Sequence, residues 1–203
     1  IIETGLGGRL DSTNIITPEV SVITNISLEH TAILGDTIAE IAREKAGIIK
    51  PTIPVVIGKT QPEAQSVFEE IANENNSEIH FADTNQSQNF VLDLKGEIQQ
   101  ENAATVFQVI QVLNTATYII SEKEIENGLK NVIKNTQLLG RFQVISENPK
   151  VVFDTAHNPD GLAIVCKEIA QLNPKKVHAV IGIARDKNHK EMLDKFPENT
   201  QFY

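Results

Sequence analysis

The first 14 residues include a loop whose backbone could approach a ligand closely. Residues 3–14 combine an acidic start with three glycines within four residues, and these let a backbone approach a ligand closely. We expect Glu3 at the carboxyl end of a strand, where open α/β sheets bind ligands. The segment is not a dinucleotide fingerprint, because Leu10 stands where the third glycine is required. Taken alone, such a loop can equally be a plain connection.

A histidine and a lysine follow on the next predicted elements. His30 comes shortly after a predicted strand, where an imidazole and a carboxylate could bind a divalent ion together; a hydrogen-bonded loop histidine is the simpler alternative. Lys45 falls on the same helix face as Ile38 and Ile41. Either its stem packs while the ammonium reaches solvent, or its amine stays neutral and adds carbon dioxide to become a carbamate.

A third set of polar residues lies near the end of a later strand. Asp154 ends this strand, His157 sits in the following loop, and Asn158 precedes a helix whose N-terminus would favour anions. Arg141 could reach a phosphate across a cleft. The alternatives are that Asp154 is an ordinary loop acceptor and that Arg141 forms a surface ion pair.

An α/β framework is needed to position these groups, and apolar runs alternate with helix-period segments as that framework requires. Thr37 and Glu40 match a capping box, and Asn158 and Pro159 match a helix start. Strands are predicted over residues 20–26, 53–58, 78–83, 89–94, 143–146, 151–154 and 177–182. Helices are predicted over residues 37–45, 62–73, 102–113, 121–133 and 159–172, with a domain boundary after residue 138.

Composition excludes several classes of function. A net charge of −9 over 203 residues argues against sequence-independent binding to nucleic acid or anionic lipid, and no apolar run reaches the roughly 18 residues of a membrane span. Cys166 is the only cysteine, which fits a reducing cytoplasm; we expect it to lie off the apolar stripe of its helix and to be inert. Both ends of the sequence read as mid-domain, so we expect a fragment.

Taken together and in this order, the motifs resemble one family. Glu-Thr-Gly-Leu-Gly-Gly-Arg-Leu-Asp-Ser-Thr-Asn at the start is similar to a segment of folylpolyglutamate and dihydrofolate synthases, which are Mur-ligase-type amide synthetases. Glu29 departs from the family pattern, where aspartate is commoner, and residues 97–98 depart from a common Pro-His. The same resemblance continues through residues 28–30, 34–37, 41–51, 99–104, 139–142 and 154–159.

The resemblance implies a fold and a reaction. The fold would be α/β and Mur-ligase-like: residues 1–138 form the later part of a P-loop-type ATPase domain, and residues 139–203 begin a Rossmann-like C-terminal domain. The reaction would be ATP-dependent ligation of L-glutamate to folate or dihydropteroate through an acyl phosphate. The phosphate-binding loop would lie upstream, since no Gly-x-x-x-x-Gly-Lys-Ser/Thr occurs here, so this chain alone is expected to be inactive.

Residue roles also follow from the resemblance. ATP and Mg²⁺ are the implied cofactors, and we expect a cytoplasmic monomer with no nucleic-acid or membrane partner. The implied roles are Mg²⁺ ligation by Glu3 and His30, carbamylation of Lys45, lining of the pterin site by Leu10, Asp11 and Ser12, ATP contacts from Asn102, Arg141 and Asp154, and a place for His157 near the incoming amino acid. Two alternatives stay open: a Mur ligase of cell-wall synthesis, and a non-catalytic nucleotide-binding remnant.

Overall fold

The computed structural model describes residues 1–114, 118–185 and 188–203. Contacts divide the chain into two units, the first comprising Ile1–Val91 and Gln99–Lys130, the second Leu92–Ile98 and Asn131–Tyr203. The chain therefore changes unit after residue 130, whereas the boundary after residue 138, drawn from the sequence, stays a prediction. Among the described residues, no helix is long and apolar enough to cross a membrane.

A three-stranded parallel sheet is the centre of the first unit. Its strands are β1 (Ser21–Ile23), β2 (Val55–Ile57) and β3 (Ile79–Phe81), in the order β1-β2-β3. All three residues of β2 are buried, as expected for a central strand covered on both faces. Around the sheet lie α1 (Thr31–Leu34), α2 (Ile38–Ala46), α3 (Pro62–Glu74), α4 (Glu97–Leu113), α5 (Glu122–Lys130) and two 3-10 helices, Ser12–Ile15 and Thr84–Ser87.

Helix α2 forms as the sequence predicts. Thr37 accepts a hydrogen bond from Glu40 N, and the Glu40 carboxylate accepts one from Thr37 N, so the predicted capping box is confirmed. Its buried residues pack in one core cluster with those of α3, and full burial of a side chain such as Ile41 contributes about 1.5–3 kcal/mol. Lys45 is half-buried beside Ala46, rather than enclosed in the apolar face.

Three predictions about the middle of the chain are wrong. Residues 89–94 do not form a strand, because Phe90 packs against Phe107 with ring centroids 5.5 Å apart and Asp93 accepts a hydrogen bond from Ile133 N. Helix α4 starts at residue 97 instead of 102, and its second half is only partly buried. The helix predicted over 121–133 ends at residue 130, so Ile133 belongs to the next helix and is 37% exposed.

The first residues also differ from expectation. Residues 1–4 have no regular structure, and Ile1 and Ile2 are exposed. The expectation that Glu3 lies at the end of a strand is therefore wrong for the part of the chain that the structure describes, because no strand there pairs with these residues.

The second unit contains two small sheets and three helices among its described residues. Strands β4 (Gln143–Glu147) and β5 (Lys150–Phe153) form an antiparallel hairpin, and β6 (Val177–Ala179) pairs in parallel with β7 (Thr200–Phe202). The strands predicted over 143–146 and 151–154 are confirmed, the one predicted over 177–182 ends already at residue 179, and β7 was not predicted. The helices are α6 (Val132–Thr136), α7 (Pro159–Gln171) and α8 (His189–Leu193).

Helix α7 begins where the sequence places it, but one feature of its buried face was misjudged. Asn158 accepts a hydrogen bond from Gly161 N at 2.6 Å, and Pro159 occupies the first turn. Cys166 lies four residues after Leu162 and is buried with it, so the expectation that it lies off the apolar stripe is wrong. Burial raises the pKa of the Cys166 thiol to about 11, which disfavours the reactive thiolate.

A carboxylate of α7 caps the N-terminus of α4. Glu168 is 7% exposed and accepts a hydrogen bond from Glu97 N at 3.1 Å. This bond satisfies one of the backbone donors that a helix start leaves without an intrahelical partner. Lys167 and Gln171 bind the Glu97 side chain as well, which explains why α4 starts earlier than local sequence signals suggest.

Gly96→Ala is expected to destabilise the protein by about 1–3 kcal/mol. Gly96 has a φ of +109°, which an L side chain rarely adopts, and a Cβ there would collide with the Glu168 carboxylate. Chemical denaturation of the two proteins measures the loss. Gly128→Ala is the matched control: a Cβ there would meet no atom within 4 Å on α5, so we expect a gain of about 0.4–1 kcal/mol. Equal effects at both glycines would contradict this view of the α4 start.

Candidate active site

The glycine-rich loop, defined as residues 5–14, is organised by Asp11. One carboxylate oxygen accepts hydrogen bonds from Gly5 N (2.9 Å) and Leu6 N (3.1 Å). The other accepts from Thr13 N (2.9 Å) and from the Thr13 hydroxyl (2.6 Å). The Thr13 hydroxyl and the backbone donors hold the pKa of Asp11 far below its usual range. Asp11 thus shapes the loop, and its carboxylate is largely occupied by the loop itself.

The glycine-rich loop is fixed on the C-terminal end of α2. Arg9 N donates to Glu44 O (2.8 Å), and the Arg9 guanidinium binds the Glu44 carboxylate through two nitrogens. Asn14 donates to Gly47 O (2.9 Å), and Lys50 donates to Asn14 O (2.7 Å). Residues 9–14 and residues 44–50, which are more than 30 positions apart in the sequence, are therefore in direct contact.

Gly8 makes this close approach possible. A Cβ at residue 8 would lie 2.9 Å from Lys45 O and 2.9 Å from the Ile48 side chain. A contact of that length to backbone cannot be relieved by a rotamer change, so only glycine fits there. The loop consequently touches the turn of α2 that carries Lys45.

A cleft of about 290 Å³ opens between the glycine-rich loop, α1 and α2. Apolar and polar groups share its wall, since Leu10 and Ile33 expose 80% and 69% of their surface beside the charged residues Arg9, Asp11 and Glu44. A flat, partly apolar ligand with hydrogen-bonding edges suits such a wall. The lining residues are Leu6, Gly7, Gly8, Arg9, Leu10, Asp11, Ser12, Ile33, Leu34 and Glu44.

The predicted metal ligands are exposed and are not brought together with a third ligand. Glu3 is exposed, and His30 is exposed with a left-handed φ of 52° at the start of α1. Over the described ranges, no group of three or more His, Cys, Asp or Glu side chains could hold a metal. One nearby observation points to a cation: Glu29 Oε1 is buried and has no hydrogen-bond partner there. A buried carboxylate oxygen without a hydrogen-bond partner is expected to bind a cation or a hydrogen-bond donor.

Asn102 lies on the exposed side of α4, away from its buried residues. Its side chain donates to Gln99 Oε1 at 3.1 Å, one turn earlier. The neighbouring Glu101 pairs with Lys59, which follows β2, at 3.1 Å. Asn102 is thus on the surface of the first unit with its amide oxygen available to a ligand, close in sequence to an ion pair at the carboxyl edge of the sheet.

In the second unit, Asp154 joins two motif segments. Its carboxylate accepts hydrogen bonds from Phe142 N (2.6 Å) and Ala156 N (2.7 Å). Thr155 N donates to Gly140 O at 3.1 Å, and the Arg141 guanidinium donates to the Thr155 hydroxyl. Arg141 and Asp154 therefore belong to one cluster, through Thr155 and the backbone of residues 140–142. The Asp154 carboxylate organises this cluster as Asp11 organises the glycine-rich loop.

His157 is exposed in the loop before α7. Its Nδ1 lies 3.2 Å from Thr155 O. A carbonyl oxygen can only accept, so this contact requires the proton on Nδ1 and leaves Nε2 of the neutral ring as an acceptor. The arrangement suits binding or deprotonation of an amine that approaches the exposed edge of the ring.

Several residues of this site were not singled out from the sequence. Arg9 and Glu44 stand in the quoted motifs, but the 35-residue separation between them gives no sign of a contact. Asn14 and Thr155 were likewise parts of motifs without an assigned role. Their only sequence signal was membership in a motif, because their contacts are all tertiary.

Comparison with known proteins matches the chain to two families along its length. Residues 1–145 match the Mur ligase middle domain, and residues 140–203 match the Mur ligase glutamate ligase domain. The dihydrofolate synthase/folylpolyglutamate synthase of Escherichia coli is 37% identical over 205 residues, which are 93% of this chain and 46% of that protein. The folylpolyglutamate synthase of Lacticaseibacillus casei is 34% identical over 218 residues, 96% of this chain and 50% of that protein.

Solved structures agree with these matches. An FPGS–AMPPCP–folate complex superposes with a TM-score of 0.86 at 32% identity, covering 99% of this chain and 54% of that one. E. coli FolC in complex with DHPP and ADP superposes with a TM-score of 0.82 at 33% identity, covering 98% and 50%. The chain thus spans about half the length of these relatives, and the predicted Mur-ligase-like α/β fold is confirmed. It belongs to the Mur ligases, and the relatives that it resembles over about half of their length are folylpolyglutamate and dihydrofolate synthases.

Proposed function

We propose that the whole protein ligates L-glutamate to the carboxylate of folate or dihydropteroate, using ATP and passing through an acyl phosphate. The observation that supports this most is the cleft between the glycine-rich loop and the Lys45 end of α2. The cleft provides a place for a flat heterocycle close to the turn of Lys45, the residue that would become an anionic carbamate. The relatives described above are named as folylpolyglutamate or dihydrofolate synthases, and one similar structure is a complex with AMPPCP and folate.

The pterin side would be built by the glycine-rich loop. We assign direct contacts to Leu10, which is largely exposed into the cleft, and to Ser12, which opens a 3-10 helix after Asp11. Asp11 would act mainly through the loop, because its oxygens already accept four hydrogen bonds. A preorganised loop binds a rigid ring without a further ordering cost.

The cation side would be held by Glu3 and His30. A carboxylate and an imidazole are compatible donors, and the buried free oxygen of Glu29 beside His30 adds an argument for positive charge there. Two protein ligands leave most positions of an octahedral ion to water and to nucleotide phosphates, as Mg²⁺ usually prefers. When bound, Mg²⁺ would neutralise the charge that develops on the transferred phosphoryl group.

Lys45 would supply an anion to the same region as a carbamate. The amine nitrogen forms a bond to the carbon of CO₂ and releases one proton, so a potential cation becomes an oxygen ligand. No hydrogen bond or ion pair of the Lys45 side chain occurs within residues 1–114, 118–185 and 188–203.

The remaining residues would serve the nucleotide and the amino acid. Asn102 would contact adenine, and Arg141, positioned by Thr155, would bind phosphate oxygens, with Asp154 ordering that cluster. His157, whose Nδ1 faces Thr155 O, would orient or deprotonate the amine of glutamate before it attacks the acyl phosphate. Holding these groups in place supplies most of the catalysis in such a reaction. We further propose that the enzyme works as a monomer in the cytoplasm.

A substrate comparison tests this function. The whole protein, given ATP, Mg²⁺ and glutamate, is expected to release one ADP per glutamate joined to folate or dihydropteroate, measured by mass spectrometry of the product. A UDP-muramoyl acceptor with alanine is the competing substrate pair. Ligation of that pair alone would indicate a cell-wall Mur ligase, and nucleotide binding without ligation of either pair would indicate a non-catalytic protein.

A further inference from the structure

The side-chain amide of Gln61 binds the backbone of Ile26 through both of its polar atoms. Its Oε1 accepts a hydrogen bond from Ile26 N at 2.8 Å, and its Nε2 donates to Ile26 O at 2.9 Å. The two residues are 35 positions apart, and Ile26 is only 4% exposed. Buried backbone N–H and C=O groups require partners, and here one side chain serves both groups of the same residue.

This contact continues the pairing between the carboxyl ends of β1 and β2. The main chain after β2 donates to the main chain at the end of β1 from Gly58 N (2.8 Å) and from Lys59 N (2.7 Å). Pro62 then begins α3, so the main chain leaves the sheet edge at that point. The carboxamide of Gln61 carries the same donor and acceptor as a peptide group, and it takes the next place beside Ile26.

The needs of α3 do not explain a glutamine at this position. Gln61 is the N-cap residue of α3, but its side chain makes no capping hydrogen bond. Asn, Asp, Ser and Thr are the residues favoured at an N-cap, because their short side chains accept hydrogen bonds from the first helical turn. Gln61 binds the end of β1 instead, so its contribution lies in the segment that follows Ile26.

That segment leads directly to His30, four residues after Ile26. Glu29 N donates to Ser27 O at 2.9 Å, and His30 has a left-handed φ of 52°. A residue with a side chain keeps such a conformation only where its surroundings fix it. On the carboxyl side, two backbone N–H groups of α1 donate to His30 O at 2.8 and 2.9 Å. On the amino side, the contact between Gln61 and Ile26 is an anchor.

We propose that Gln61 is a positioning residue for His30: by holding Ile26 it fixes residues 26–30, and with them the imidazole that binds the divalent cation. The inference rests on the metal role proposed above for His30. Gln61 acts through the backbone and needs no contact with the cation. A ligand that is held in place before the metal arrives binds it more tightly, because less ordering is left to the binding step.

Mn²⁺ binding to the whole protein tests the proposal without turnover. The free ion is followed by its EPR signal, with AMPPCP in place of ATP. Gln61→Met keeps the length of the side chain but loses both hydrogen bonds, and we expect the Kd for Mn²⁺ to rise about tenfold. His30→Ala should also weaken Mn²⁺ binding. Because Gln61 acts through His30, adding Gln61→Met to His30→Ala should change the Kd by less than about twofold.

Two controls separate positioning from general damage. The affinity for AMPPCP in the presence of EDTA should stay within about twofold of the wild type in Gln61→Met, since only the metal ligand is displaced. Gln65→Met removes another glutamine hydrogen bond of α3, which goes to Glu69 at 2.8 Å, and should leave Mn²⁺ binding unchanged.

A second variant covers the case in which Gln61→Met does not fold. Gln61→Asn supplies a favoured N-cap for α3, but its side chain is one carbon too short to bind both groups of Ile26. We expect the same loss of Mn²⁺ affinity in this variant, and wild-type affinity would overturn the proposal.

Three further results would overturn it: unchanged Mn²⁺ binding in Gln61→Met, a further large loss when that change is added to His30→Ala, or an equal loss of AMPPCP affinity in EDTA. Failure of the underlying function gives a different result. Unchanged Mn²⁺ binding in His30→Ala would remove the metal role of His30 and this inference with it. Weaker binding in His30→Ala with wild-type binding in Gln61→Met would remove the inference alone.

Discussion

Lys45→Ala in the whole protein is expected to lower kcat by about 10²–10³-fold, the size of effect seen when one electrostatic group of an active site is removed. The alanine variant lacks the amine that would become the carbamate. Its fold should be retained, because the Lys45 side chain is only half-buried and makes no hydrogen bond in the part of the chain that the structure describes. Steady-state kinetics with thermal unfolding of the same samples separates the two effects.

Added formate or acetate should partly restore the activity of Lys45→Ala, since a short carboxylate can occupy the position of the missing anion. The wild type should lose activity on acidification and on removal of CO₂, because carbamylation consumes a neutral amine and CO₂. Arg43→Ala, on the same helix but paired with Glu70 on the surface, should behave like the wild type. Near-normal activity of Lys45→Ala would leave Lys45 as an ordinary surface lysine.

Asp11→Asn is expected to lower kcat/KM for the folate substrate by about 10- to 100-fold, chiefly through KM. An amide offers one acceptor oxygen where the carboxylate offers two, so its NH₂ group would face backbone donors that now bind oxygen. The glycine-rich loop would lose its present shape, and the cleft with it. KM and kcat for folate, measured at fixed ATP and glutamate, check this expectation.

Acid stability tests the same residue independently. Because folding lowers the pKa of Asp11, its carboxylate contributes stability above the ordinary aspartate pKa of about 4, and this contribution is lost as pH falls further. Asp11→Asn should therefore show less acid destabilisation below about pH 4 than the wild type. Asp83→Asn is the matched control, since Asp83 also caps a 3-10 helix but lies outside the cleft lining. A normal folate KM in Asp11→Asn would contradict the role of the loop.

Local signals predicted the elements that local contacts form. Thr37 and Glu40 lie within one turn, so the capping box could be identified from spacing alone, and the same holds for Asn158 and Pro159 at the start of α7. The parallel strands were predicted from short apolar runs between breakers, because a central strand such as Val55–Ile57 is buried on both sides. The positions of β1, β2, β3, α2 and α3 in the first unit follow from such patterns.

Contacts between distant residues could not be predicted in this way. Glu168 caps α4 from 71 residues away, so the true start of that helix has no local sign. Phe90 lies in a weakly alternating run that predicted a strand, yet it packs against Phe107. The candidate site has the same limit: motif membership singled out Asp11 and Asp154, but only the structure shows that both carboxylates order loops through backbone donors.

The proposed acyl phosphate is tested most directly by following one oxygen atom. The whole protein would be supplied with ATP, glutamate and dihydropteroate or folate carrying ¹⁸O in the reacting carboxylate, and the released phosphate analysed by mass spectrometry. Attack of the carboxylate on the γ-phosphate followed by displacement by the amine transfers one labelled oxygen to each phosphate and leaves the other in the amide. We predict one ¹⁸O per phosphate formed. Unlabelled phosphate, or label found in AMP, would contradict the mechanism.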